Sequence, residues 1–309
     1  MSMPFSRPAL RIHHLANDLL QIESPQSLSS EPFTADRLSS RARPSGLPLM
    51  HQNWGKLLFM HWPINAELLR PLIPSQLAID TFDSSAWIGE IPFTMWGIRA
   101  SFLPPIPGTN AFHELNVRTY VHLNGVPGVW FFSLDAANSL AVWGARSFYH
   151  LPYFNADMSL TQEGNTIEYS SRRRDSLTYG EFFDREKTGF PELLSPDRFR
   201  DLRRAELQAS WSIGEPLPQS APGSIEFFLT ERYCLYSLHR DRLYRSRIFH
   251  EPWPLRKARL TARQSTMIES LGIAEPQEEP LLHYAEAIAV DIWPLKMCQK
   301  PDRKGGQDS

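Results

Sequence analysis

The stretch ELNVRTYVHL, residues 114 to 123, constrains the fold more than any other part of the chain. Glu114, Asn116, Arg118, Tyr120 and His122 alternate with Leu115, Val117, Thr119, Val121 and Leu123, the period of two that a β-strand requires. The turn-forming NGVPG follows, and then GVWFFSLDA, a second strand that is apolar on both faces until Ser133 and Asp135. A strand apolar on both sides is covered on both sides. The polar face of its hairpin partner is therefore expected to line an enclosed space rather than to meet bulk water.

Register decides which polar groups meet, because a slip of one residue sends every side chain to the other face. If facing residue numbers sum to 253, Arg118 lies opposite Asp135, Tyr120 opposite Ser133 and His122 opposite Phe131. If they sum to 252, Asp135 falls beside Val117, with its charge among apolar groups. The cost of an unpaired buried carboxylate favours the first register. Glu114 and Arg118 are about 13 Å apart along one strand, too far for a direct pair.

Elsewhere the pattern is again strand after strand: Ala86 to Ser101, Thr166 to Arg172, Glu206 to Ile213, Ile225 to Leu238, Leu243 to His250 and Tyr284 to Ile292, eight or nine in all. Pro92 argues for an edge or a bulge, and Asn65 for an N-cap on a short helix, Ala66 to Arg70. Residues 1–49, rich in Ser, Pro and Arg, read as a disordered extension, and 299–309 as a disordered tail. Between them, 50–298 reads as a single domain, mainly β with a few short helices, with a helix-capable excursion at 180–204. Antiparallel strands in this number suggest a closed barrel or a sandwich.

Several functional classes find no support. The net charge is −2, with no run of about 18 apolar residues, so neither nucleic acid nor membrane is an expected partner, and a cytoplasmic location is the default. Two cysteines build neither a disulfide framework nor a Cys-based metal site. The ten histidines show no HxH, HxxxH or HExxH spacing, and no P-loop, GxGxxG or GxSxG pattern occurs. No metal and no cofactor are expected. His61 and His250, in FMHW and IFHEPW, read as packed core histidines, and the basic clusters at 172–174 and 240–247 as solvated hairpin charges. Of the 32 basic residues 26 are Arg, the side chain best suited to gripping a carboxylate.

The segments HWPINAELLRPLIPSQLAID, AWIGEIPFTM, FHELNVRTYV, GVWFFSLDA, ARSFYHLPYFNADM, GSIEFFLTERYCLY and IFHEPWPL together resemble the YqjF-like family of uncharacterised proteins over residues 50 to 295. That family is distantly similar to acetoacetate decarboxylase. The resemblance implies a large cone-shaped antiparallel β-barrel around a ligand cavity, with Glu114 as a pocket carboxylate and Arg146 in a comparable position. It departs from the decarboxylase pattern at HLPYF, where Tyr153 and Phe154 stand in place of the lysine pair. The six lysines, at 56, 187, 257, 296, 300 and 304, include no adjacent two, so Schiff-base chemistry is not expected.

The expectation is a cavity protein that takes a small, carboxylate-bearing organic molecule. Glu114 and Arg118 would be catalytic residues in lyase-like acid/base chemistry, and Asn116, Tyr120, Asp135, Arg146 and Tyr153 would bind substrate. The second reading is a binding protein without turnover. A homo-oligomer is left open.

Overall fold

The computed structural model describes residues 32, 34–104, 111–175 and 205–298. The helix-capable segment at 180–204 and the tail lie outside them. Within the N-terminal extension, α1 (Thr34–Ser39) opens a described stretch that lies against the sheet through three ion pairs, Arg37 to Asp80, Arg41 to Glu231 and Arg43 to Asp291.

Thirteen strands follow: β1 (Met50–Ile64), β2 (Ala78–Ile79), β3 (Ala86–Ala100), β4 (Ala111–Leu123), β5 (Val126–Ala136), β6 (Tyr153–Glu163), β7 (Thr166–Arg173), β8 (Glu206–Pro216), β9 (Cys234–His239), β10 (Arg242–His250), β11 (Leu255–Ser265), β12 (Leu281–Ile292) and β13 (Lys296–Met297). The helices are α2 (Ala66–Leu69), α3 (Ser139–Tyr149) and α4 (Ile225–Thr230). Asn65 caps α2 as expected, its side chain accepting from the Glu67 amide. Asn124 and Gly125, at φ +49° and +78°, turn β4 into β5 with the two positive-φ residues of a type I′ hairpin.

The expected antiparallel barrel is corrected. The strands form one mixed thirteen-stranded sheet in the order β13-β10-β9-β5-β6-β7-β8-β11-β12-β1-β3-β4-β2, with added pairings β10–β12 and β5–β4. It has two end strands, and β5 pairs in parallel with both β6 and β9. The reason lies in NSLAVWGARSFY, which was not read as a helix. Asn138 accepts hydrogen bonds from the amides of Leu140 and Ala141, starting α3, and His150 ends it at φ +53°. A helical crossover returns the chain parallel to the strand it left, where a short turn would have returned it antiparallel. A second correction concerns 225–238, expected as one strand. Ser224 accepts from the Phe227 amide and caps α4, so β9 starts only at Cys234.

The sheet is covered on both faces, as the doubly apolar β5 predicts. One face packs Trp62, Leu115, Val117, Trp130, Phe132 and Trp211; the other packs Phe59, Phe93, Tyr120, Phe131, Leu134 and Phe228. Pro92 sits where the β1–β3 pairing is interrupted between Gly55 and Met60, so its missing N–H costs no bond to β1.

The hairpin register is the third correction. β4 pairs regularly with β3, but its pairing with β5 shifts between Val117, opposite Ser133, and Arg118, opposite Phe131. The extra residue is Phe132 on β5. The turn is Asn124–Gly125 alone, so facing numbers sum to 249 beside it, with Tyr120 opposite Val129 and His122 opposite Pro127 in place of the expected 253; the bulge leaves Phe132 and Ser133 on one face and raises the sum to 250 beyond it, which puts Asp135 on the face away from Arg118, opposite Leu115. Asp135 is not stranded there, because Arg173 from β7 grips it with Nη2 at 2.7 Å and Nε at 3.1 Å. Arg173, expected as a solvated charge, is buried.

Candidate functional site

β4 is buried continuously from Glu114 to His122, so its polar face looks into protein and not into water. Across the ladder β3 sets Phe93 beside Glu114, Ile91 beside Asn116 and Gly89 beside Arg118, and β1 sets His61 beside Gly89. Gly89 makes room for that imidazole. A Cβ there would come within 2.7 Å of His61 Cδ2.

At one end of the row stands Glu114, only 3% exposed. The Tyr153 phenol donates to its Oε2 at 2.8 Å. Burial pushes the Glu114 carboxyl up to about 8; the Tyr153 hydrogen bond pulls against this, and the nearby charge of Asp135 adds to it. Tyr153 is itself held well above the usual tyrosine range by burial and by Glu114. Arg146, in the last turn of α3, donates from Nε to the Tyr153 carbonyl and pairs through Nη2 with Asp175, both at 2.7 Å. It braces the strand that carries Tyr153. Tyr149, one helical turn further on, has its phenol pushed up to about 12 by burial and its hydroxyl without a hydrogen-bond partner.

Arg118, four residues along β4, is 9% exposed. Its guanidinium lies 5.6 Å from the Phe59 ring and 5.7 Å from the Tyr120 ring, and Nη2 is 3.5 Å from the Leu229 carbonyl. Nε has no partner, and among the described residues no carboxylate lies within ion-pair distance. Burying an unpaired cation is costly, so a carboxylate arriving there would gain from it. Asn116, between Glu114 and Arg118, is also buried, with Oδ1 unpartnered.

Beyond Arg118, the Tyr120 hydroxyl donates to the Leu229 carbonyl at 2.9 Å and lies 2.6 Å from His61 Nε2. Arg232 stacks over the Tyr120 ring at 4.6 Å and pairs with Asp80, which also receives Arg37. His61 lies at the wall of an open pocket of about 570 Å³.

Of the seven residues expected at the site, Glu114 and Tyr153 are in direct contact, and Asn116, Arg118 and Tyr120 share their face. Asp135 stands on the opposite face with Arg173, and Arg146 touches the backbone of Tyr153. Sequence reasoning missed His61 as a pocket residue, Tyr149, and α4 with its Leu229 carbonyl. The Ser224 cap was the signal for α4; an isolated His in FMHW gave none. Among the described residues no group of three His, Cys, Asp or Glu side chains could hold a metal ion, and no helix is long and apolar enough to cross a membrane.

A family model described as "Uncharacterized conserved protein", DUF2071, matches residues 51–289. The uncharacterized protein YqjF of Bacillus subtilis (strain 168) is 42% identical over 258 residues, which is 82% of this chain and 94% of that one. Among solved structures, the enduracididine biosynthesis enzyme MppR complexed with pyruvate superposes with a TM-score of 0.52 at 11% identity, over 82% of this chain and 91% of that one. An acetoacetate decarboxylase-like enzyme from Sphingomonas wittichii RW1 gives 0.50 at 8% identity, over 82% and 94%. An acetoacetate decarboxylase gives 0.51 at 14%, over 84% and 91%. At these identities the likeness is one of fold alone.

Proposed function

This chain belongs to the DUF2071 family, and from that premise we propose that it binds a small carboxylate-bearing molecule and moves a proton on it with Glu114. The observation that carries the reading is one buried strand face holding a carboxyl that ionises near 8, an unpartnered Asn116 Oδ1 and an Arg118 without a carboxylate. A neutral acid poised near the working pH can give a proton and take one back, which is the requirement of general acid/base catalysis. In this scheme the Arg118 guanidinium takes the ligand's carboxylate and Asn116 Oδ1 accepts from a ligand N–H or O–H. The Tyr153 hydroxyl steadies Glu114 once it has lost its proton. MppR, similar in fold, has been solved with pyruvate, which makes pyruvate the natural first probe.

A binding protein without turnover is the second reading. It is favoured by the lysines, since Lys56 is ion-paired with Glu286, Lys257 and Lys296 are exposed, and none of the described lysines is buried. Mass spectrometry of the denatured, freshly purified chain tests both. A small organic acid should co-purify with the native protein and with Glu114→Gln, and should be lost from Arg118→Ala while far-UV circular dichroism is unchanged. Retention by Arg118→Ala, or unfolding of both variants, overturns the assignment. Turnover of the identified acid by the native chain but not by Glu114→Gln separates catalysis from binding.

A further inference from the structure

A ligand carboxylate can reach Arg118 only if something over it moves, because the side chain is buried and its Nε is out of reach of solvent. Three groups surround the guanidinium. The Phe59 and Tyr120 rings stand on β1 and β4, strands that are each paired on both sides. The third is the Leu229 carbonyl of α4, 3.5 Å from Nη2, a contact at the limit of a hydrogen bond. The same carbonyl accepts from the Tyr120 hydroxyl at 2.9 Å, and the neighbouring Phe228 packs its ring 5.4 Å from that of Tyr120. Of the three, only α4 can move without breaking the sheet. It has six residues, too few to hold a helix together without tertiary contacts.

The stretch that begins with α1 supplies such contacts from outside. Arg37 places its guanidinium 5.0 Å from the centre of the Phe228 ring and grips Asp80 with two hydrogen bonds, at 2.8 and 2.6 Å. Arg41 lies 5.1 Å from the Phe227 ring and pairs at 3.0 Å with Glu231, the residue that ends α4. Two arginines four residues apart thus hold two successive rings of the helix. Each carboxylate keeps another partner when its arginine leaves. Asp80 is also bound by Arg232 at 2.5 Å, and Glu231 accepts from the Tyr233 hydroxyl and the Trp253 amide. Release of Arg37 and Arg41 therefore strands no buried charge, and their guanidiniums pass into water. Arg232, just past the helix, donates to the Phe228 carbonyl at 2.7 Å and tethers α4 at its C-terminal end.

We propose that α4 is a gate over Arg118, and that Arg37 and Arg41 are the latch that holds it shut. Opening withdraws the Leu229 carbonyl from Arg118 and Tyr120 and lifts the Phe228 ring off Tyr120. The guanidinium then exchanges a weak neutral acceptor for a ligand carboxylate, a charge-assisted pair. The purpose of the opening rests on the reading of Arg118 as the carboxylate site, whereas the opening itself does not. A closed majority lowers the apparent affinity of any Arg118 ligand by the fraction of molecules that are open. Loosening the latch must therefore strengthen binding, where loss of an ordinary structural contact would weaken it or leave it unchanged.

The variant Arg37→Met/Arg41→Met of the full chain, checked for folding by its thermal melt, tests the latch. The amides of Phe228 and Glu231, which donate within α4 to Ser224 and Phe227, should exchange with deuterium faster than in the native protein. Their acceleration should exceed that of the β4 and β5 amides by at least about tenfold. The Arg118 Nε–H, identified in ¹⁵N spectra by its absence from Arg118→Ala, should accelerate by the same factor as α4. If the double variant does not fold, Arg37→Lys/Arg41→Lys keeps both charges without the planar two-pronged grip and should show the same pattern at smaller amplitude. In calorimetric titrations the dissociation constant for pyruvate should fall in the loosened variant by about the factor read from exchange. Unchanged exchange at α4, equal acceleration of α4 and the strands, an Arg118 Nε–H as slow as before, or weaker pyruvate binding by the variant would each overturn the proposal. Absence of pyruvate binding by both proteins counts against the Arg118 site alone, and the exchange rates still decide the gate.

Discussion

Replacing Glu114 by Gln should make the protein more stable above neutral pH, although the substitution removes a charged residue from the centre of the fold. The folded carboxyl ionises near 8, against an ordinary value of 4.5. Between these values the unfolded chain has released a proton that the folded chain still holds. Stability therefore falls as pH rises: Glu114's contribution is fully present below about 4.5 and is lost by about pH 8. At about 1.4 kcal/mol per pH unit over this interval, the loss approaches 5 kcal/mol as an upper estimate. Gln has the same shape, stays neutral, and keeps an oxygen to accept from Tyr153. Urea melts of the native chain and Glu114→Gln at each unit from pH 5 to pH 9 provide the assay. The difference in unfolding free energy should shift in favour of the variant by several kcal/mol, with most of the change complete by pH 8. A difference that stays constant within about 0.5 kcal/mol across the range would mean that Glu114 ionises as it does in water, and the burial argument would fail.

Other substitutions give equally definite outcomes. Arg173→Met leaves the Asp135 carboxylate buried without its partner and should cost about 3–5 kcal/mol in denaturant melts, whereas the double change Asp135→Leu/Arg173→Met should recover most of that. Gly89→Ala pushes a methyl group against His61 and should destabilise the fold by about 1–3 kcal/mol while shifting the His61 ring resonances. Tyr153→Phe removes the hydrogen bond that favours the charged form, so ¹³C NMR should show Glu114 ionising above its native value.

The strands and turns that depend on local chemistry were legible: the alternation of β4, the Asn65 cap, a hairpin turn within NGVPG and the double burial of β5. The register was not. GVWFFSLDA is apolar on both faces over most of its length, so an inserted residue at Phe132 leaves its pattern almost unchanged while moving Asp135 to the other face. The argument against that face also assumed a carboxylate without a partner, and Arg173 comes from β7, 38 residues away. Sheet architecture was misjudged for a related reason, since a helix between β5 and β6 reverses strand direction and a short apolar segment reads equally as helix or strand. Glu114 could be named from the strand pattern and the family resemblance, and Tyr153 as an aromatic beside a cavity at the point where the family pattern is lost, but their contact spans 39 residues and became visible only in three dimensions. His61 shows the same limit from the opposite side. It reads as packed and hydrogen-bonded and is so, yet its partner, the Tyr120 hydroxyl held in turn by the Leu229 carbonyl, comes from segments 59 and more residues away.

Carboxyl ¹³C NMR of the full chain, labelled at Glu and titrated with pH before and after addition of pyruvate, tests most directly whether the polar face of β4 is a working site. One glutamate, absent from Glu114→Gln, should titrate near 8. Its resonance should respond to pyruvate in the native chain and stay still in Arg118→Ala. Glutamates that all titrate in the ordinary carboxylate range, or a Glu114 signal indifferent to pyruvate, would contradict the account.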